Sequence, residues 1–275
     1  MAPRIHFIAT AELESTIEGS LLNGAVSPEI PREQTLPFGW REGLRRRDGN
    51  VVAGVMVPAP VWLIEGARRV ILVDTGVGDV DEIDTLHARH GTIRWIVERN
   101  EGQDLVEGLA RRGVTPADVE LVVLSHLHFD HVGNNELFPR ARFIVQRDEL
   151  PLALAPPKFS MFYYPEYRYK MTSVLDRLDV IDGDVDIDPD IRLLKVGGHT
   201  PGCQATLVQT SAGIVCLTSD TMYNYRNIEL DWPVGSFWDL PGLLAGMARM
   251  RHEADILVPQ HDWQFLQQFP TGTVG

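Results

Sequence analysis

The sequence predicts a four-layer αββα sandwich, one domain over residues 1–275. Three observations carry that expectation. Apolar, β-branched runs open the chain as a group, and a second group of such runs begins near residue 190. Helical and strand patterns mix after the first group, and a helix and a strand follow the second. Nothing between the groups reads as a linker, a repeat or a low-complexity tract. Two β-rich halves with helices outside satisfy all three.

Taken in order, residues 4–9 read as a short opening strand. Residues 10–50, rich in Gly, Pro and charge, read as a long irregular excursion. Residues 51–57, 60–64 and 69–74 read as adjacent strands separated by Pro and Gly. The polar stretch 77–94 reads as irregular. A helix is expected within 95–112, with Leu105, Val106 and Leu109 on one face and Gly113 at its C-terminal cap. Thr115-Pro116 can start a one-turn helix before a strand at 121–124. Residues 142–146 read as a strand and 147–154 as helix-like. Residues 155–176 are rich in Tyr, Phe, Met and Pro without clean periodicity, which suits a lid or substrate wall. Strands are expected at 191–196, 204–209 and 213–218. Asp239 then caps a helix whose stripe is Leu240, Leu243, Leu244, Met247 and Met250. Residues 255–259 read as the last strand.

Composition narrows the partners. Apolar residues make up 44% and aromatics 8%, an ordinary globular mixture. A net charge of −13 argues against nucleic acid, and the basic run at 41–47 reads as a solvated loop. Cys203 and Cys216 are too few for a disulfide framework, so both are expected reduced and packed. No signal-peptide h-region and no 18-residue apolar run is present. The expectation is a cytoplasmic monomer or homodimer acting on a small molecule, with no membrane partner.

The chemistry concentrates at 121–139. Four apolar residues run into His126, His128, Asp130 and His131. On a strand, residues i and i+2 share a face, so His126 and His128 can reach one ion. Asp130 and His131 lie just beyond, where a turn swings them towards a second. His199, Asp220 and His261 each follow a predicted strand in the same way. Five imidazoles and two carboxylates suit two first-row divalent ions. The expected division is His126, His128 and His199 on one ion, Asp130, His131 and His261 on the other, and Asp220 bridging. Zinc is the default, though manganese, iron and cobalt fit the same donors. Two such cations share a water and lower its pKa towards neutrality, supplying hydroxide. The remaining His6, His87, His90 and His252 read as surface residues.

These seven residues resemble the dinuclear motif of the metallo-β-lactamase superfamily, and Val73-Asp74-Thr75-Gly76 is similar to its early strand-end Asp. The likeness runs from about residue 50 to residue 262. Ser125-His-Leu-His-Phe-Asp-His131, Ile144-Val-Gln-Arg147, Pro60-Val-Trp-Leu-Ile-Glu65 and Tyr223 are most similar to the N-acyl homoserine lactone lactonases. The resemblance implies the metallo-β-lactamase fold and lactone opening by a bridging hydroxide. It implies that Tyr223 hydrogen-bonds the lactone carbonyl oxygen, and the mechanism gives Asp130 as proton donor to the leaving alkoxide. The alternative is a thioester or other ester hydrolase similar to glyoxalase II; a phosphodiesterase or a non-heme iron oxygenase fits less well. The sequence departs from the family pattern at Asn134, Cys203 and Gln260. Trp232, Phe237, Trp238 and the aromatics at 159–169 are candidates for the wall of the pocket.

Overall fold

Alternation of apolar side chains along each strand decides how the layers stack. The computed structural model describes residues 2–16, 20–22, 36–45, 49–89, 96–164 and 173–275. Its strands are β1 (Arg4–Ser15), β2 (Arg41–Arg45), β3 (Val51–Glu65), β4 (Ile71–Val73), β5 (Val97–Glu98), β6 (Leu121–Val123) and β7 (Arg142–Gln146). They continue with β8 (Leu178–Ile181), β9 (Val185–Asp188), β10 (Ile191–Lys195), β11 (Gln204–Thr210), β12 (Gly213–Leu217), β13 (Ile256–Val258) and β14 (Thr273–Val274). One sheet runs β14-β1-β3-β4-β6-β7-β8, with β2 on β3 and β5 on β1; the other runs β13-β12-β11-β10-β9.

On β3, Trp62 and Ile64 join the core between the sheets, while Val61 and Leu63 join the core on the outer face. On β10, Leu193 faces the other sheet and Leu194 faces outward. Ile83, Leu105 and Leu109 cover the first sheet from helices Val80–Arg89 and Leu105–Ala110. Leu243, Met247 and Met250 cover the second from helix Leu240–Glu253. The result is helix, sheet, sheet, helix: the expected αββα sandwich. Each fully buried Leu, Ile or Val contributes about 2 kcal/mol.

Several elements differ from the sequence reading. The opening strand runs on to Ser15. Residues 51–65 form one strand rather than two, with Pro58 and Pro60 inside it. Proline is tolerated there because the β1–β3 register shifts between Ala9 and Glu12, a bulge that relieves the ladder of regular N–H donors. Residues 80–89 are helical, because Ile83 and Leu86 bury against the first sheet despite the polar sequence. In the next helix Val106 is 40% exposed, off the buried face that Leu105 and Leu109 share. Thr115-Pro116 makes a turn instead of a helix, with Asp118 Oδ2 accepting from Thr115 N and Oγ1. Leu244 is exposed, so the buried stripe of the last long helix is narrower than expected. β13 is not the last strand: β14 pairs with β1, Ile5 opposite Val274. β8 and β9 are edge strands whose half-polar sequences gave no apolar signal. His6 and His87 are buried, not superficial; His6 sits between Thr273 and Glu65. His252 is exposed as expected, and His90 lies outside the described residues.

Cys203 and Cys216 are both free and buried, as expected. Of the segment 155–176, residues 158–163 form a 3-10 turn, and residues 165–172 lie outside the described set. Among the described residues no helix is long and apolar enough to cross a membrane.

Candidate metal centre

The strands end on one edge of the sandwich, and their ends carry the chemistry. β6 stops at Val123, and the chain then delivers His126 and His128 before a short helix, Phe129–Val132, carries Asp130 and His131. His199 follows β10, Asp220 follows β12 and His261 follows β13. All seven are buried. They fall into two groups, His126, His128, His199 and Asp220 in one and Asp130, His131 and His261 in the other. Within each group the ligand-type atoms lie within 4.8 Å of one another.

Asp220 belongs geometrically to both groups. Its Oδ1 is 3.1 Å from His261 Nε2 and 3.3 Å from His131 Nε2. Its Oδ2 is 3.4 Å from His199 Nε2 and 3.7 Å from His126 Nε2. One carboxylate thus offers one oxygen to each histidine set.

Nitrogen lone pairs show what the site wants. His199 donates from Nδ1 to Ser236 O at 2.8 Å, and His261 from Nδ1 to Pro58 O at 2.8 Å. Each Nε2 is therefore left as a lone pair in the neutral ring. His128 Nδ1 sits 2.9 Å from His126 Nε2 and 3.1 Å from His199 Nε2. His131 Nε2 is buried with no hydrogen-bond partner. One N–H can serve only one of these contacts at a time, whereas a cation set among the nitrogens would engage all their lone pairs together. The donor set fits two divalent ions.

Electrostatics agrees. Burial holds His126 and His128 well below the usual imidazole pKa, and neighbouring rings add to that: His131 beside His126, His199 beside His128. Burial also lowers His199. Burial opposes charge on His131 too, but Asp130, Asp220 and Asp74 outweigh it and hold its pKa well above the ordinary value. For Asp220, burial pushes upward and is outweighed by His261, His131, His126 and His199, so the carboxylate stays ionised. Burial thus holds His126, His128 and His199 in the neutral form that binds metal, whereas the carboxylates around His131 and His261 overcome burial and favour their protonated forms, a charge that a bound cation would replace.

A surrounding layer fixes these groups. Asp74, at φ 65, ends β4 and points into the site. Its Oδ2 lies 2.7 Å from His131 Nδ1, and its carboxylate accepts from Ser125 N at 2.7 Å and Ser125 Oγ at 2.8 Å. Glu149 is fully buried behind the centre and accepts from Leu127 N at 3.1 Å and Gly202 N at 2.7 Å. It thereby ties the loop of His126 and His128 to the loop of His199. Gly133 donates to Gly76 O at 2.8 Å, and a Cβ on Gly133 would meet Gly78 N at 2.0 Å. Only glycine lets the two loops approach so closely.

The residues that depart from the family pattern have local uses. Asn134 Nδ2 donates to Thr75 O and Val77 O, and Asn135 Oδ1 accepts from Thr75 Oγ1. Gln260 accepts from the Trp62 indole at 3.1 Å and donates to Pro60 O at 3.3 Å. Cys203 packs beside Ser219 and Thr221.

A cavity opens over the centre, lined among others by Leu13, Glu14, Val57, Asp130, Tyr163, Tyr223 and Ser236. Tyr223 sits on its wall with its ring 5.2 Å from His261 and 5.8 Å from His199. Tyr163 stacks on His128, centroids 4.4 Å apart and planes at 15°. Phe237 and Trp238 do not line this cavity. They are exposed, because Trp238 N and Asp239 N bond Gly198 O and turn the chain outward into the capped helix. Trp232 is also outside it, its indole donating to Leu22 O. Of the aromatics at 159–169, Tyr163 reaches the cavity, and 165–169 lie outside the described residues. Sequence reasoning did not single out Glu149, Ser236, Pro58 or Tyr163 by role. Their signals were a polar residue among helix formers, a loop serine, a strand proline and one Tyr among many.

Two facing sheets whose strand ends gather five imidazoles and two carboxylates define a class of metal-dependent enzyme. The chain belongs to the metallo-beta-lactamase superfamily, whose profile matches residues 55–261. An N-acyl homoserine lactonase from Bacillus sp is 32% identical over 197 residues, 69% of this chain and 75% of that protein. N-acyl homoserine lactonase AttM from Azorhizobium caulinodans is 32% identical over 213 residues, 74% of this chain and 76% of that protein. Among solved structures, an N-acyl homoserine lactone hydrolase with N-hexanoyl-L-homoserine at its catalytic metal centre superposes with a TM-score of 0.72. The match is 24% identical and covers 98% of this chain and 96% of that one. AidC, a dizinc quorum-quenching lactonase, gives a TM-score of 0.67 at 16% identity over 95% of this chain and 88% of its own.

Proposed function

We propose that this chain is a dinuclear metal-dependent hydrolase that opens lactone rings, with N-acyl homoserine lactones as its substrate class and zinc as its metal. The carrying observation is the arrangement of Asp220 between the two histidine sets, under a cavity that also holds a phenol. The names of the relatives support the choice of lactone.

His126, His128 and His199 would hold one cation, Asp130, His131 and His261 the other, with Asp220 shared. When bound, the pair of cations supplies a water of lowered pKa and polarises the ester carbonyl. The chain's own residues do the rest. Leu13, Val57 and Phe129 line the cavity with apolar surface and keep bulk water from the ring. Tyr223 stays protonated, because burial, with Asp220 and Tyr163 adding to it, holds its pKa well above the ordinary phenol value. Its O–H is thus a donor to the carbonyl oxygen as negative charge gathers there. Asp130 lies at the cavity floor with Oδ2 3.5 Å from His131 Nε2, placed to take the proton given up by the attacking water and pass it to the departing alkoxide.

A panel of acyl homoserine lactones, aromatic lactones, a thioester and a phosphodiester, read by proton release, tests the reading. Fast turnover of the acyl homoserine lactones is expected. Preferred turnover of the thioester would replace lactonase by the glyoxalase II-like alternative. Two bound metal equivalents with no turnover of any ester would overturn the hydrolase reading itself. Tyr223→Phe is expected to keep both metals and lose about 10²-fold in kcat.

A further inference from the structure

Glu149 is a fully buried carboxylate that the proposed reaction does not use. It opens the helix Glu149–Leu154, and backbone N–H groups occupy both of its oxygens. Oε2 accepts from Leu127 N at 3.1 Å, and Oε1 accepts from Gly202 N at 2.7 Å. Leu127 lies between His126 and His128. Gly202 lies in the turn after His199, where Cys203 N donates to Thr200 O at 3.3 Å.

Gln204 also joins these two loops, through its N–H to Ser125 O at 2.9 Å and its side-chain amide to Leu124 O at 2.8 Å. Those bonds act ahead of the first ligand. Glu149 acts between the ligands. Two converging N–H groups ask for two acceptor oxygens, and a carboxylate has them. A carboxamide of the same shape has one, and its NH2 would oppose an N–H. Burial pushes the Glu149 carboxyl up to about 7, and the two backbone N–H groups are among the bonds that pull against the rise. A Cβ on Gly202 would lie 2.9 Å from Glu149 N and 3.0 Å from Glu149 Cγ, so the turn has glycine where it passes the carboxylate.

The other ligand set is held from elsewhere. His131 Nδ1 lies 2.7 Å from Asp74 Oδ2, and His261 Nδ1 donates to Pro58 O at 2.8 Å. The bonds of Glu149 reach neither residue. An imidazole–zinc bond is about 2.0–2.1 Å long, so a shift of a few tenths of an ångström between two loops that share one ion weakens its binding.

We propose that Glu149 is a positioning residue for one ion of the pair: its carboxylate sets the separation of His126 and His128 from His199, and so governs the affinity of that set but not of Asp130, His131 and His261. The inference rests on the dinuclear reading of the centre and is independent of the choice of lactone.

Cobalt(II) titration of metal-free protein against a competing chelator tests it, at about pH 8 to keep the carboxylate mostly ionised. Absorption gives the number of ions bound. The hyperfine-shifted imidazole N–H resonances show which histidines hold each one. In Glu149→Gln the signals of His126, His128 and His199 are expected to need about 10-fold more free cobalt to saturate than in the wild type. Those of His131 and His261 are expected to change by less than about 3-fold. Gly202→Ala keeps the carboxylate and strains one of its bonds, and is expected to shift the same three signals by about 3-fold. It also decides the matter if Glu149→Gln does not fold. Equal weakening of both sets would overturn the inference and leave Glu149 as a general brace. Titrations unchanged from the wild type would overturn it as well. A wild type that binds fewer than two equivalents would overturn the dinuclear reading itself, and this inference with it.

Discussion

The floor of the cavity and its wall follow different rules. Floor residues follow strand ends or sit on the short helix after β6; all are buried, and His131, His199 and His261 are each held by a hydrogen-bond partner outside the two sets. The hydroxyl-bearing wall residues come from a 3-10 turn at 158–163 and from loops around 223 and 236, beside the strand residues Leu13, Glu14 and Val57, and Tyr163 and Ser236 are only half-buried. A strand end is fixed by its sheet, so an imidazole placed there needs little further support. A tyrosine on a turn depends on one or two hydrogen bonds. Under the proposed function, the difference separates binding the cations from choosing and orienting the substrate.

Substitutions can break or sharpen that separation. The largest effect belongs to the floor: Asp220→Ala should lose metal and about 10³-fold or more in turnover, measured by emission spectrometry and steady-state kinetics. A substantial residual rate with full metal would deny Asp220 its shared role. Asp74→Asn keeps the shape but weakens the grip on His131, and should cost about 10- to 100-fold in metal affinity, measured by chelator competition. Gly133→Ala forces the Gly76–Gly78 loop apart, and should destabilise the fold by about 1–3 kcal/mol in urea titrations. Trp238→Ala, at an exposed position off the cavity, should change turnover by less than about 2-fold. A larger change there would mean that the wall extends further than the cavity shows.

The floor was legible because metal chemistry uses few residue types and strands advertise themselves by β-branched runs. His126, His128, Asp130 and His131 follow such a run, and the αββα layering followed from grouping the runs. What escaped detection depended on contacts distant in sequence. Helix Val80–Arg89 is stabilised by burial of Ile83 and Leu86, which its polar composition concealed. Pro58 and Pro60 looked like breaks, yet they sit at a bulge and present carbonyls to His261 and Gln260. Phe237 and Trp238 looked like wall material because aromatic residues near a site invite that reading; the bonds to Gly198 O send them outward. Glu149 carries no motif at all, and only the meeting of two loops shows its use.

The pairing of Ile5 with Val274 bears on the order of events during synthesis. One neighbour of β1 is β14, so the first sheet gains that edge only after the long stretch of chain between them has been made. The second histidine set needs His261, which emerges only shortly before. Pairings this distant in sequence make for slow, late closure. A cation captured by the His126–His131 stretch alone would meet an incomplete cage, so stable loading at the proposed centre waits for His199, Asp220 and His261 to fold into place.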